Sequence, residues 1–76
     1  MTRRLPAVNG HEVVRALERG GFYVHHIKGS HCALRHPEKA GLRVVVPLHR
    51  KALPAGTVRA IIRQAGLTVD EFVGLL

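Results

Sequence analysis

The spacing of apolar residues changes twice along this chain, and that change limits its fold more than any other feature. Val13, Ala16 and Leu17 recur with the period of a helix that ends at Gly20-Gly21. From Phe22 the pattern is that of strands: "FYVHHIK", "HCALRH" and "LRVVVP" are short runs rich in β-formers, and Pro47 closes the last. The helical period returns in "TVRAIIRQAG", where Val58, Ile61, Ile62 and Ala65 fall at i, i+3, i+4 and i+7 before Gly66. One helix, three strands and a second helix are therefore predicted, in that order.

The boundaries carry their own chemistry. Asn9 with Glu12 three residues on is a capping box, with Val8 and Val13 placed as its staple. Thr68 with Glu71 repeats the device near the C-terminus, with Leu67 and Phe72 as staple, and predicts a short last helix that lays Phe72, Leu75 and Leu76 on the core. Gly29-Ser30 suits a tight first hairpin, and "PEKAG" a longer polar second one. Along the second strand, alternation puts Cys32, Leu34 and His36 on one face and His31, Ala33 and Arg35 on the other. Cys32 and Leu34 are assigned to the core, so His31 and Arg35 point outward.

These elements fit one domain spanning residues 1–76, of class α+β: a three-stranded antiparallel sheet with both long helices, the second over 54–65, on one face. The other sheet face stays open. A chain this short buries only about 60% of the surface its unfolded form exposes, which leaves little room for an enclosed pocket and favours a polymeric substrate.

Charge points to the same class of partner. Twelve Lys and Arg against five Asp and Glu give a net charge of +7, and between residues 20 and 69 Glu38 is the sole acid. Such a field attracts polyanions. Cys32 is the single cysteine, so no internal disulfide forms, and a small domain without staples suits a reducing compartment. No apolar run approaches the ~20 residues of a membrane span, and "MTRRLPAVNG" lacks the apolar core of an export signal, so the expected location is the cytoplasm, with no membrane partner.

The reactive residues gather around "KGSHCALRHP". A histidine titrates near neutrality and can accept a ribose proton or protonate a leaving oxygen. RNA carries its own nucleophile in the 2′-hydroxyl, so cleavage needs a positioned acid or base and cations for the developing phosphoryl charge. Lys28, His31 and Arg35 supply these groups, and the amides of Gly29 and Ser30 add donors. His49, after the third strand, is placed as a second acid–base group or a phosphate contact. Arg59 and Arg63 align four apart on the second long helix, where two cations repel unless an anion lies nearby. His25 and His26 point to opposite sides of their strand, so they cannot both serve one ion; His36, before Pro37, orders the turn. A zinc site drawn from His31, Cys32, His36 and His49 has no recognised ligand spacing, and no metal or other cofactor is expected.

The order of the whole chain, "GF", "KGSH", "RHP", "VVVPLH" and "LPAGTVRAIIRQAGLTVDEF", resembles the HicA family of toxin ribonucleases over roughly residues 5 to 73. Its most specific parts are Gly29-Ser30-His31, the Pro47-x-His49 step, and Gly56-Thr57 with Gly66 closing the helix. The resemblance implies a double-stranded-RNA-binding-domain-like fold, metal-independent cleavage of mRNA, His31 as the catalytic histidine, and neutralisation by a HicB antitoxin. Where family members often carry a further histidine or an aromatic residue, this chain has Cys32. Two other classes fit the same residues: a non-catalytic RNA-binding module of this fold, and a domain whose basic face docks on an acidic protein.

Overall fold

The computed structural model describes residues 4–76. Its elements run α1 (Gly10–Arg19), β1 (Tyr23–Lys28), β2 (His31–His36), β3 (Lys39–Pro47), α2 (Ala55–Gln64) and α3 (Val69–Val73), with the strands in the antiparallel order β1-β2-β3. The class predicted from the spacing of apolar residues is the one observed.

Both capping boxes form. Asn9 accepts from the Glu12 amide at 2.9 Å while Glu12 accepts from the Asn9 amide at 2.9 Å, and Thr68 and Glu71 exchange the same pair of bonds at the start of α3. Each long helix ends in a Schellman motif. Phe22 N–H reaches the Leu17 carbonyl and Gly21 N–H that of Glu18, and at the end of α2 Leu67 reaches Ile62 and Gly66 reaches Arg63. Those four bonds satisfy carbonyls that a helix end would otherwise leave without partners.

Val13, Ala16 and Leu17 of α1 and Val58, Ile61 and Ile62 of α2 are buried against Cys32, Leu34, Val44 and Val46, the inward residues of β2 and β3. The register pairs Cys32 with Val46 and Leu34 with Val44. Phe72 is fully buried in the same cluster and Leu75 packs at its edge, but Leu76, expected on the core, is 42% exposed. The helices concentrate on β3, so every residue of the edge strand β1 is exposed.

The second hairpin departs from expectation. Rather than looping through "PEKAG", the chain turns within Pro37-Glu38, with His36 opposite Lys39, and Lys39, Ala40 and Gly41 already belong to β3. The extra residues go into a register shift between Arg35 and His36. The Glu38 amide donates to His36 Nδ1 at 3.1 Å, and the imidazole stands edge-on to Phe22 with ring centroids 5.0 Å apart. His36 therefore does order this turn, as its place before Pro37 suggested.

Three contacts anchor the end of the sheet that carries the first hairpin. Leu48 N–H donates to the Ser30 carbonyl at 2.6 Å, tying the chain beyond β3 to the hairpin tip. Gly10, the first residue of α1, lies so close to Pro47 that an added Cβ would collide with the Pro47 carbonyl. Leu53 N–H donates to the Val8 carbonyl at 2.8 Å and closes the same corner.

Candidate nucleic-acid interface and acid–base site

Gly29-Ser30 forms a two-residue hairpin that pairs Lys28 with His31. Gly29 has φ +59 and Ser30 does not share the positive φ, which is the pattern of a type II′ turn and the reason a glycine stands first. Nothing lies within 4 Å of where a Gly29 Cβ would be, so the turn presents its backbone to open space.

Once Lys28 and His31 are paired, alternation decides what shares their face. Ala33 follows His31 on β2, opposite His26 on β1 and Val45 on β3, and Arg35 stands opposite Arg43. His26, Lys28, Gly29, Ser30, His31 and Arg43 surround a shallow hollow of about 470 Å³ floored by Ala33 and Val45. It lies on the sheet face turned away from the helices. No carboxylate is among the described residues that line it, and neither Lys28, Arg35 nor Arg43 has an ion-pair partner among the described residues. Like charges directly opposite on a sheet destabilise it, so the Arg35–Arg43 pair is a cationic surface that no described residue compensates.

Four of the predicted site residues, Lys28, Gly29, Ser30 and His31, come together here. Arg35 stands one step further along the open face, in a separate hollow with Tyr23 and His25. His49 is exposed one residue beyond Leu48, near the hairpin by backbone, but its side chain does not line the His31 hollow. Arg59 and Arg63 belong to the helical layer, where they line a hollow with Leu67, Thr68 and Val69. The structure thus does not bring these two arginines to His31.

Two residues of the hollow escaped the reading of the sequence: His26 and Arg43. The signal for His26 was available, since the tight turn pairs Lys28 with His31 and His26 is two residues before Lys28 on the same face. Arg43 depends on the β2–β3 register, which the shift at Arg35/His36 hides. A further irregularity between Val24 and His26 breaks strict alternation in β1, and His25 and His26 line different hollows.

Cys32, though next to His31 in sequence, faces inward and is 1% exposed. Burial pushes its thiol up from the ordinary range, and the Glu18 carboxylate adds to the effect. It stays a protonated thiol at neutral pH, the unreactive form. Among the described residues no three His, Cys, Asp or Glu side chains come together as metal ligands, and no described helix is long and apolar enough to cross a membrane.

A comparison with curated proteins gave no match. A scan of family models matched residues 10–67 to the HicA toxin of bacterial toxin–antitoxin systems. That span runs from the first residue of α1 through the Schellman motif closing α2, and takes in both helices, the whole sheet and the Gly29-Ser30-His31 turn. The chain belongs to the HicA toxin family, and its role is that of the toxin in a pair whose other member is an antitoxin.

Proposed function

We propose that this toxin is an endoribonuclease that cleaves mRNA without a metal ion, with His31 as general acid or base, and that a HicB-type antitoxin neutralises it. The observation that carries the reading is the setting of His31: an exposed imidazole on the open sheet face, beside the hairpin amides, with Lys28 opposite and Arg43 in the same hollow. A phosphodiester seated there meets cations on two sides and a titratable group within the same depression. The chemistry asks little more, because the attacking 2′-hydroxyl belongs to the RNA and the developing charge on the phosphoryl oxygens is met by Lys28, Arg43 and the Gly29 and Ser30 amides. Arg35 extends the phosphate path along the open face. His49, Arg59 and Arg63 lie off the hollow and serve longer strands that run past the hairpin or round to the helical layer.

The test is His31→Ala. The side chain is exposed, so folding is expected to change by no more than about 0.5 kcal/mol, while loss of an acid–base group lowers the cleavage rate by roughly 10²–10⁴. RNA affinity persists through Lys28, Arg35 and Arg43. Cleavage is measured in EDTA beside the parent protein, with melting curves and binding isotherms for both. A variant that cuts at the parental rate moves catalysis away from His31, parental cleavage abolished by EDTA restores the metal reading, and a parent that binds RNA without cutting it is the non-catalytic module.

A further inference from the structure

Cleavage of RNA by its own 2′-hydroxyl moves two protons: one leaves the nucleophile, another must reach the departing 5′-oxygen. A single imidazole can serve both ends only in turn. The hollow around His31 holds a second one.

We propose that His26 is the partner acid–base group of His31, so that the two histidines act on opposite ends of the same phosphodiester; this rests on the ribonuclease reading above. The register supports it. Lys28 pairs with His31 and His26 pairs with Ala33, which makes His26 and His31 diagonal neighbours across the β1–β2 ladder, both at the rim of one hollow. Diagonal side chains on one sheet face start roughly 7–8 Å apart, within reach of each other for long or aromatic groups. Two imidazoles so placed can stand on either side of a phosphate seated between them. The in-line geometry of phosphoryl transfer sets the attacking and leaving oxygens on opposite sides of phosphorus.

In the step itself, one histidine in its neutral form takes the 2′-hydroxyl proton as the P–O2′ bond forms. The other, as imidazolium, gives its proton to O5′ as the P–O5′ bond breaks. The products are a 2′,3′-cyclic phosphate and a free 5′-hydroxyl, and the two histidines end in exchanged protonation states that solvent resets. The charged and titratable groups facing His26 are Lys28 on its own strand, His31 and, further along, Arg35 on β2, and Arg43 on β3. All are cationic or titratable bases, so no carboxylate among the described residues of the hollow competes for the proton-shuttling role.

His26 lies outside the Gly29-Ser30-His31 turn and makes no side-chain hydrogen bond among the described residues. Its exposure on the edge strand means that it can be replaced without disturbing the core.

The experiment measures single-turnover cleavage of a labelled single-stranded RNA of mixed sequence across pH for the parent, His31→Ala, His26→Gln and His26→Arg, with product ends identified. The parent should show a bell-shaped profile and leave a cyclic phosphate. His26→Gln should lose one limb of that bell and roughly 10²–10⁴ in rate, with unchanged melting and RNA affinity. His26→Arg keeps a cation at this position and should not recover the limb. If His26→Arg restores the parental rate and profile, His26 is a phosphate contact and the proposal is overturned. An inactive His31→Ala beside a His26→Gln that keeps both limbs overturns the pairing alone, whereas parental cleavage by His31→Ala removes the ribonuclease site on which it rests.

Discussion

Neighbouring residues on β2 show how one step along a strand separates opposite chemistries. His31 faces solvent beside Lys28, and Cys32 faces the core with its thiol held protonated by burial and by Glu18. The direction of that shift sets a pH dependence. A thiol whose folded pKa lies above its unfolded value of about 8.5 binds more protons when folded, so its contribution to stability is intact below about pH 8.5 and is lost as pH rises through the folded value. Denaturant titrations of the parent and of Cys32→Ala should therefore show the parent losing stability more steeply on the alkaline side, although the variant is less stable at neutral pH through the cavity it leaves. Parallel curves above about pH 8.5 would show that the thiol does not titrate differently on folding.

At the scale of elements, the helical layer holds the sheet from one side only. α2 docks through Val58, Ile61 and Ile62, all nearly or fully buried, while Arg59 and Arg63 stay in water. Ile61→Ala removes three carbons from a site that is 2% exposed, and a cost of about 2–5 kcal/mol follows. A chain of 76 residues has about 4–11 kcal/mol in total, so this one substitution takes a large share, and chemical denaturation should show it as a large drop in midpoint. Arg63→Ala on the same helix should move that midpoint little, since its side chain contributes no core area. Equal effects of the two would place the helix in a different phase.

Across the whole molecule, the cations that give this chain a net charge of +7 include groups on two separate surfaces. One is the open sheet face, with Lys28, Arg35 and Arg43; the other is the hollow of Arg59 and Arg63 on the helical layer. A short RNA that fills the His31 hollow reaches the first surface, and a longer one reaches both. Each phosphate contact removed lowers the slope of log affinity against log salt by about 0.7 on single strands. Arg43→Gln is accordingly expected to flatten the slope for short and long RNA alike, and the double change Arg59→Gln with Arg63→Gln to flatten it for the long RNA alone. Binding isotherms over a salt series check both, and a slope for the short RNA that also falls in the double variant would put the RNA on the helical layer.

Local chemistry determined much of this protein before any tertiary contact. The capping boxes at Asn9 and Thr68, the glycines after each long helix and the tight turn at Gly29-Ser30 are short-range devices, legible because every partner lies within a few residues. The apolar phase of α1 and α2 and the inward assignment of Cys32 and Leu34 follow from periods of 3.6 and 2. Tertiary structure decided the rest. The shift between Arg35 and His36 sets which residues of β3 face β2, and only that register puts Arg43 opposite Arg35 and in the hollow that His31 lines. The packing of α2 on β3 sends Arg59 and Arg63 to the layer opposite the hollow. Composition counts cations without regard to side, and a sheet with helices on one face has two sides; which cations meet the open face depends on pairings between residues far apart in the chain, which spacing alone does not encode.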